Sequence, residues 1–245
     1  MSRARAQEIL TDGFGLWGRL IFPYHAMGRI DSLDLFGPTE LMIMAMYQHN
    51  KRKWKKVLDI GGNLGLHSIL MAKLGMRVRT FEPDSEHFGR LVANLRANNV
   101  WNMVDAQMAA VHTSEGQHEF VRVLDNLTGN HLAGYKDSYG PRETVMVPTV
   151  DCRGLWDWAD FAKIDSEGNE ADLCETMSAK DMRHMQAVCE VRDAKNAERI
   201  YQHFDMLRVP MWSQKNDWKQ VTALTQMPTK NREGSLFIGH EGPWV

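Results

Sequence analysis

Short apolar segments alternate with amphipathic segments over most of the chain after residue 56. Residues 57–60 and 77–81 are brief, apolar and bounded by polar residues, as central parallel strands are. The same reasoning predicts further strands at 102–111, 119–124, 144–150, 161–165, 187–191 and 235–238. Helices are predicted at 64–74, from Asp84 or Ser85 to Asn98, from about Glu170, and at 194–204.

This alternation predicts a Rossmann-like α/β fold, with a doubly wound sheet that is mostly parallel and has an antiparallel late strand. A ligand cleft is expected at the carboxyl ends of the strands. Residues 1–50 are expected to form a helical extension, a candidate lid, ahead of a main domain at 51–245. The basic run at 51–56 is interpreted as a solvated helix end, with a patch for an anionic partner as the alternative.

The 245 residues are 43% hydrophobic and 24% charged, values typical of a soluble globular protein. A net charge of −2 gives no drive toward nucleic acid or an anionic membrane. No apolar run reaches the roughly 20 residues of a membrane span. The three cysteines lack zinc spacing and the N-terminus lacks a signal-peptide pattern, so reduced thiols in a cytoplasmic protein are expected.

A glycine-rich turn follows the first predicted strand, with the pattern Asp-x-Gly-x-x-x-Gly at Asp59, Gly61, Gly62, Asn63 and Gly65. A dinucleotide fingerprint needs Gly-x-Gly-x-x-Gly, and this turn does not fit that register. Gly61 and Gly62 would let a ligand approach the backbone closely, and Gly65 would allow tight packing of the helix. A carboxylate at the strand end would repel a pyrophosphate but attract the cationic groups of S-adenosylmethionine. The turn is therefore predicted to bind S-adenosylmethionine, with a turn that binds no ligand as the alternative.

Glu82 ends the second predicted strand, where a carboxylate can accept hydrogen bonds from both ribose hydroxyls. Asn63 is expected to orient the methionyl carboxylate, to cap the next helix, or both. The adenine is expected against Pro83, Asp84, Gln107, Met108 and Ala109. For Met108, plain core packing is the alternative.

Asp165, Glu167 and Glu170 lie within six residues at the end of a later predicted strand. Carboxylates this close together are costly unless solvent, a cation or a cationic substrate compensates them. A divalent metal such as magnesium, held by Asp165 with Glu167 or Glu190, is one such compensation. No dedicated metal motif is present in the sequence, so a metal is left unassigned.

Three segments resemble the FkbM family of S-adenosylmethionine-dependent methyltransferases, which carries a D-x-G-x-N-x-G turn, an F-E-P segment and a K-I-D-x-E-G-x-E segment. Here these segments are 59–65, 81–83 and 163–170, and the resemblance extends over about 37–238. It implies the class I methyltransferase fold for 51–245 and methyl transfer as the activity. Ser166 and Asn169 replace the Val and His common in the third segment, and Met108 stands where a polar adenine partner is common. Substrate contacts and adenine hydrogen bonds are therefore expected to differ from the family pattern.

Methyl transfer from a sulfonium to a hydroxyl needs alignment of the reactants and a base that removes the proton. Candidate catalytic residues are Asp165, Glu167, His112 and His131. The expected function is O-methylation of a hydroxyl on a sugar, glycan or secondary metabolite. The alternatives are N-methylation of a small molecule, peptide or nucleic acid, an NAD-dependent oxidoreductase, and a non-catalytic methyltransferase-like binding subunit. The charge disfavours nucleic acid and membrane partners, and a homo-oligomer through the N-terminal helices is one expectation.

Overall fold

Two β-sheets organise the chain. The computed structural model describes residues 13–28, 30–126, 129–137, 140–230 and 233–245. The larger sheet contains β1 (Lys56–Ile60), β2 (Arg77–Phe81), β3 (Val104–Gln107), β8 (Phe161–Ile164), β9 (Gln186–Glu190), β10 (Met211–Ser213), β11 (Lys219–Gln220) and β12 (Ser235–Ile238). Its strands lie in the order β11-β10-β12-β9-β8-β1-β2-β3.

The centre of this sheet is parallel. β1 pairs with β2 on one side and with β8 on the other, β3 extends the first side and β9 the second. β12 is antiparallel to both β9 and β10. The prediction of a Rossmann-like sheet with an antiparallel late strand is confirmed. Because the strand order reverses at β1, a crevice is expected beyond the carboxyl ends of β1 and β8.

The smaller sheet contains β4 (Ala110–His112), β5 (Gly116–Val123), β6 (His131–Leu132) and β7 (Arg142–Asp151), in the order β4-β7-β5-β6. The single strand predicted at 102–111 is wrong, because the chain leaves the main sheet after Gln107 and enters the smaller sheet at Ala110. The strands predicted at 119–124 and 144–150 also belong to the smaller sheet. An apolar pattern identifies a strand but not the sheet that it joins.

The helices are α1 (Pro38–Asn50), α2 (Leu66–Lys73), α3 (Ser85–Ala97), α4 (Arg153–Trp156), α5 (Glu170–Glu175) and α6 (Ala194–Met206). Asp84 caps α3 by accepting hydrogen bonds from the N–H groups of Glu86 and His87. Asp193 caps α6 in the same way through the N–H of Asn196. Within the described ranges, no helix combines the length and apolar character needed to cross a bilayer.

The described part of the N-terminal region has little helix before Pro38. Among the described residues from 13 to 37, the structure has the 3-10 turns Gly15–Trp17 and Asp34–Phe36, and the first α-helix of the described residues begins at Pro38. Leu20 and Met27 are nevertheless fully buried in the cluster that also contains Val57 of β1. The region therefore packs on the main sheet even where it lacks regular structure. Residues 1–12 lie outside the described residues.

Candidate functional site

A cavity of about 250 Å³ lies beyond the carboxyl ends of β1, β2, β8 and β9. On the opposite side it is closed by Ile30 and Leu35 of the N-terminal region and by Phe120 and Leu132 of the smaller sheet. The predicted site residues that line the cavity are Gly61, Asn63, Glu82, Pro83, Asp165 and Glu167. Those that lie outside its lining are Asp59, Gly62, Gly65, Asp84, Gln107, Met108, Ala109, His112 and His131.

The glycines of the 61–65 turn make room for protein atoms. Gly61 has a φ of +81°, and a Cβ there would lie 1.8 Å from the backbone oxygen of Asp165. A Cβ at Gly62 would lie 2.3 Å from Thr80 Oγ1, and one at Gly65 would meet Leu91 of α3 at 3.0 Å. The turn therefore brings the ends of β1, β2 and β8 together, and Gly65 gives the close packing that was predicted.

Replacing Gly61 by alanine is expected to destabilise the fold by several kcal/mol, because the new Cβ would overlap a backbone oxygen. Gly75 is the matched control, since its φ is +87° and a Cβ there would meet nothing within 4 Å. Gly75→Ala is expected to cost only about 1–2 kcal/mol, from backbone strain alone. The measurement is the free energy of unfolding in urea. Equal losses for the two variants would contradict the packing role given to Gly61.

Glu82 presents a buried carboxylate to the cavity, and the residue is only 6% exposed. Its Oε2 accepts a hydrogen bond from Asn63 N at 2.8 Å, and its Oε1 accepts one from Asp84 N at 2.8 Å. Each oxygen keeps a second lone pair. Burial raises the pKa of Glu82 to about 8, against the opposing effect of the two backbone N–H groups. Two adjacent hydroxyl groups would suit the remaining lone pairs.

Asn63 lies in a strained backbone conformation at the cavity wall. Its φ is +49°, in the left-handed region, which costs a non-glycine residue on the order of 1 kcal/mol. Its backbone N–H orients Glu82, and its Oδ1 is buried without a hydrogen-bond partner. The predicted capping role is wrong, because α2 begins at Leu66 and its N-cap is Gly65. The side chain is therefore left for a ligand.

Asp59 lies beneath the turn and is fully buried. Its Oδ2 accepts a hydrogen bond from Ser68 Oγ at 2.6 Å, and its Oδ1 lies 3.9 Å from Lys163 Nζ. Asp59 therefore does not present to the cavity the negative charge that was predicted for a cationic ligand. Asp165, which follows the neighbouring strand β8, does line the cavity.

Pro83 lines the cavity, but the next residue has a structural role. Asp84 is fully buried and uses Oδ1 to cap α3. Its Oδ2 accepts hydrogen bonds from Arg122 Nε at 2.5 Å and from Asn130 Nδ2 at 3.2 Å. Burial alone would raise the pKa of Asp84, but the helix N-terminus and Arg122 outweigh it and lower that pKa. Both carboxylate oxygens are engaged, so Asp84 fastens the smaller sheet to α3 and does not provide the predicted adenine edge.

Residues 107–109, which were predicted to contact the adenine, do not line the cavity. Gln107 is half-buried and Met108 is 46% exposed, while Ala110 and Val111 line the cavity in their place. β3 ends at Gln107, whose carbonyl accepts the N–H of Glu82, and the chain then turns toward β4. Because the chain changes sheet here, the cavity is lined by residues 110 and 111 and not by residues 107–109.

Asp165 follows β8 and faces the cavity. Its Oδ2 lies 3.3 Å from Lys163 Nζ, and its Oδ1 has no hydrogen-bond partner among the described residues. Burial alone would raise the pKa of Asp165, but the Lys163 ammonium outweighs this and holds the pKa well below its usual value. Asp165 is therefore an ionised carboxylate beside the cavity at neutral pH.

Glu167 also faces the cavity and has a φ of +64°, a second non-glycine residue in the left-handed region at this site. Its Oε2 contacts Arg192 Nη1 and lies 3.0 Å from Lys136 Nζ. Oε1 accepts no hydrogen bond from the described residues. Burial raises the pKa of Glu167 to about 7, with the two cations opposing that rise. Such a carboxylate can take up a proton near neutral pH.

Glu170 completes the predicted carboxylate group but lies behind the cavity and is fully buried. Its Oε1 accepts hydrogen bonds from Ser166 N at 3.1 Å and from Gly168 N at 2.9 Å. Glu170 therefore shapes the 166–170 turn that presents Glu167. The negative charge of Glu170, which was expected to need compensation, is stabilised by these backbone N–H groups.

Glu190 and Arg192 line the cavity without having been predicted as catalytic or cofactor-binding residues. Glu190 ends β9, next to Asp165 after β8, and its Oε2 lies 3.3 Å from Arg192 Nη2. Burial and the negative charge of Asp165 raise the pKa of Glu190. The rule that ligands meet the carboxyl ends of parallel strands would have found Glu190. Arg192 lies two residues after the end of β9, and no rule of this kind would have identified it from the sequence.

His112 and His131 are engaged away from the cavity. His112 Nδ1 lies 3.1 Å from Ser114 Oγ, and its Nε2 lies 3.2 Å from Tyr135 Oη. His131 is 1% exposed, and its Nδ1 lies 2.8 Å from the carbonyl oxygen of Gly129. Burial lowers the pKa of both histidines. Their geometry favours structural roles over the predicted catalytic ones.

Carboxylate oxygens of Asp165, Glu167 and Glu190 lie within 4.8 Å of one another. Each of these carboxylates is already paired with a cationic side chain, from Lys136, Lys163 or Arg192. The positive charge that compensates these carboxylates therefore comes from side chains of the protein. The sequence alone allowed either a metal or another cation in this role. No metal is assigned.

Unpartnered buried polar atoms belong to several of the lining residues, namely Asn63 Oδ1, His87 Nε2, Asp165 Oδ1, Asn169 Oδ1 and the donor Arg192 Nε. Burial lowers the pKa of His87, so its ring is neutral at pH 7. Together with Glu82, these atoms suit a ligand that brings several hydrogen-bond donors and positive charge. S-adenosylmethionine has that chemistry in its ammonium, sulfonium, ribose hydroxyls and adenine amino group.

No family model matches the chain, and no curated protein matches it. Solved structures do. The O-methyltransferase from Bacillus cereus in complex with SAH is 12% identical over 82% of this chain and 80% of that one, with a TM-score of 0.44. TomG, an O-methyltransferase from Streptomyces achromogenes in complex with SAM, is 12% identical over 81% and 78%, with a TM-score of 0.45. The ribosomal protein L11 methylase from Lactobacillus delbrueckii subsp. bulgaricus is 14% identical over 82% and 77%, with a TM-score of 0.44.

Proposed function

We propose that the protein is an S-adenosylmethionine-dependent methyltransferase, most closely fitted to O-methylation of a hydroxyl on a sugar, glycan or secondary metabolite. The observation that carries the proposal is the paired acceptor geometry of Glu82 beside the unpartnered oxygens of Asn63 and Asp165. The resemblance of segments 59–65, 81–83 and 163–170 to the FkbM family supports the same class. S-adenosylmethionine would supply an electrophilic methyl group.

Four of the lining residues are assigned to parts of the donor. Glu82 and His87 would hold the ribose, and Asn63 with Asp165 would hold the amino-acid part. Asp165 is ionised and therefore attracts a cationic donor. Methyl transfer disperses the sulfonium charge, so this attraction favours binding of the donor more than its reaction.

Glu167 is the best-placed proton acceptor for a hydroxyl. The residue lines the cavity, and its pKa of about 7 matches the working pH range of a general base. Asp165 is a weaker base because Lys163 stabilises its ionised form. An amine acceptor is the second candidate, since Asp165, Glu167 and Glu190 together would also attract an ammonium group.

An NAD-dependent oxidoreductase fits less well. The turn at Gly61 and Gly62 is filled by Asp165 and Thr80, which leaves no glycine cradle for a pyrophosphate. The ionised carboxylate of Asp165 would repel phosphate charge. Glu82 could hold the ribose of either cofactor, so it does not by itself distinguish an NAD site from an S-adenosylmethionine site.

We further propose that residues 13–37 act as the lid, because Ile30 and Leu35 line the cavity from that segment. Gly28 supports this by forming an isolated β-bridge with Asn126, which follows β5 of the smaller sheet, and a Cβ on Gly28 would overlap the backbone oxygen of Asp125. The lid and the smaller sheet would then close the cavity together.

Isothermal titration calorimetry with S-adenosylmethionine, S-adenosylhomocysteine and NAD tests the proposed function. We expect saturable binding of the first two and no binding of NAD, because the cavity carries acceptors and negative charge. A screen of sugars and hydroxylated metabolites for release of S-adenosylhomocysteine then identifies the acceptor. Binding of NAD without binding of S-adenosylmethionine would overturn the proposal.

A further inference from the structure

A row of buried charges runs behind the cavity wall. Asp59 of β1 and Lys163 of β8 are register partners in adjacent parallel strands, so their side chains share one face of the sheet. Asp165 continues that face just beyond the end of β8. Lys163 Nζ lies 3.9 Å from Asp59 Oδ1 and 3.3 Å from Asp165 Oδ2.

Only the last member of this row meets the cavity. The side chain of Asp59 is fully buried and that of Lys163 is 7% exposed, whereas that of Asp165 is 36% exposed. Asp59 is in turn fixed by the hydroxyl of Ser68 on α2. Burying an ammonium is costly unless carboxylates compensate it, and here two of them do. Lys163 can therefore act on a bound ligand only through Asp165.

We propose that Lys163 is a positioning residue, which Asp59 holds from behind and which keeps Asp165 ionised and turned toward the cavity. The part concerning ligand binding rests on the proposed function. The part concerning Asp165 itself does not, because it follows from the charges of the protein alone.

The surroundings of Asp165 explain why such a residue is needed. The ionisable groups that interact with it are Lys163, Glu190, Arg192, Glu40, Tyr47, Glu167, Glu170 and Cys189, with Asp59 behind Lys163. Arg192 and Lys163 are the cations in this set. Arg192 contacts Glu167 and Glu190, whereas Lys163 lies 3.3 Å from Asp165. Without Lys163, burial would favour a protonated Asp165, and only the interactions with Glu190 and Arg192 would still lower its pKa.

Removing Lys163 is expected to make the charge of Asp165 depend on pH. In the wild type the pKa of Asp165 is held low, so its charge is present throughout the neutral range. Losing a nearby opposite charge raises a carboxyl pKa by about 1 to 3 units. In Lys163→Met the charge of Asp165 would be kept at high pH and lost as the pH falls toward its raised pKa. Its contribution to binding a cation would be lost over the same range.

The first test is carbon-13 NMR of aspartate carboxyl groups in the ligand-free full-length protein, with the Asp165 signal assigned through Asp165→Asn. We expect the Asp165 titration midpoint to rise by at least about one unit in Lys163→Met and to return toward the wild-type value in Lys163→Arg. Lys180→Met is the matched control, since Lys180 lies 2.9 Å from Asp157 at the surface. It is expected to leave Asp165 unchanged. An unchanged Asp165 midpoint in folded Lys163→Met would overturn the inference.

If Lys163→Met fails to fold, the double variant Asp59→Asn with Lys163→Met removes both buried charges together. An unchanged Asp165 midpoint in that double variant would likewise overturn the inference. The second test compares the S-adenosylmethionine affinity of Lys163→Met with that of the wild type at pH 4 and pH 7. We expect the loss relative to wild type to be several-fold larger at pH 4, because only there is Asp165 partly protonated in the variant and still ionised in the wild type. Equal losses of affinity at both pH values would contradict the role proposed for Lys163. Failure of the wild type to bind S-adenosylmethionine would overturn the proposed function and leave the NMR result to decide the role of Lys163.

Discussion

Replacing Glu82 by glutamine is expected to weaken the binding of S-adenosylmethionine by about 100-fold or more. Both carboxylate oxygens are held by backbone N–H groups, so each keeps one lone pair directed to the cavity. A hydrogen bond to a charged acceptor contributes about 1.5–3 kcal/mol, and two ribose hydroxyls would make two such bonds. Glutamine offers one neutral oxygen and places an NH₂ group against a backbone N–H. The loss therefore combines weaker ligand contacts with a disturbed acceptor.

The same carboxylate makes the wild-type affinity depend on pH. The pKa of Glu82 is raised to about 8 by burial, so the free protein carries the protonated form at pH 7. Binding favours the ionised form, so affinity is expected to fall by up to about tenfold for each unit below pH 8 and to level off above it. Calorimetry at pH 6 to 9, in two buffers of different ionisation enthalpy, measures both the affinity and the proton released on binding.

Glu86→Gln is the control for this experiment, because Glu86 lies four residues away and its side chain is 44% exposed. It is expected to keep the wild-type affinity and pH dependence. Glu82→Gln is expected to bind weakly with a flat profile. A wild-type affinity that stays constant from pH 6 to 9 would mean that Glu82 does not contact the ligand.

The part of the cleft that the sequence predicted correctly lies where parallel strands end. Glu82 follows β2 and Asp165 follows β8, and the topology of an α/β sheet brings such residues to one edge whatever the intervening chain does. Gly61 and Gly65 of the turn have a positive φ, and the tight contacts of the turn glycines serve the packing of strands and of a helix. Local sequence thus located the strand ends together with the residues that follow them.

The residues that were misplaced depend on non-local structure. Met108 lies outside the cavity because the chain leaves the main sheet after β3, and Asp84 is withdrawn from it by α3 and Arg122. His131 points away while its neighbours Asn130 and Leu132 line the cavity, as the alternation of a strand requires. These outcomes depend on the smaller sheet, and its position follows from tertiary packing that a hydrophobic pattern does not encode.

Glu167→Gln is expected to lower turnover by about 100- to 10,000-fold while leaving S-adenosylmethionine affinity within a few-fold of wild type. The variant keeps the shape of the side chain but cannot take a proton from a hydroxyl acceptor. Turnover is to be measured as S-adenosylhomocysteine release with the acceptor found by screening. Glu175→Gln is the matched control, because Glu175 pairs with Arg199 as Glu167 pairs with Arg192, but outside the cavity lining. That control is expected to have wild-type turnover.

The pH profile identifies the base more directly than the loss of turnover does. A general base must be deprotonated, so at saturating S-adenosylmethionine kcat/KM for the acceptor is expected to rise with pH through about 7, the pKa of Glu167. Lys136 Nζ lies 3.0 Å from Glu167 Oε2 and favours the ionised carboxylate. Lys136→Met should therefore move the rising limb to higher pH, whereas a loss of structure alone would lower the whole curve without moving it. If the limb stays in place in Lys136→Met and Glu167→Gln retains full turnover, the proton is taken by another group, and Asp165 is then the first to test.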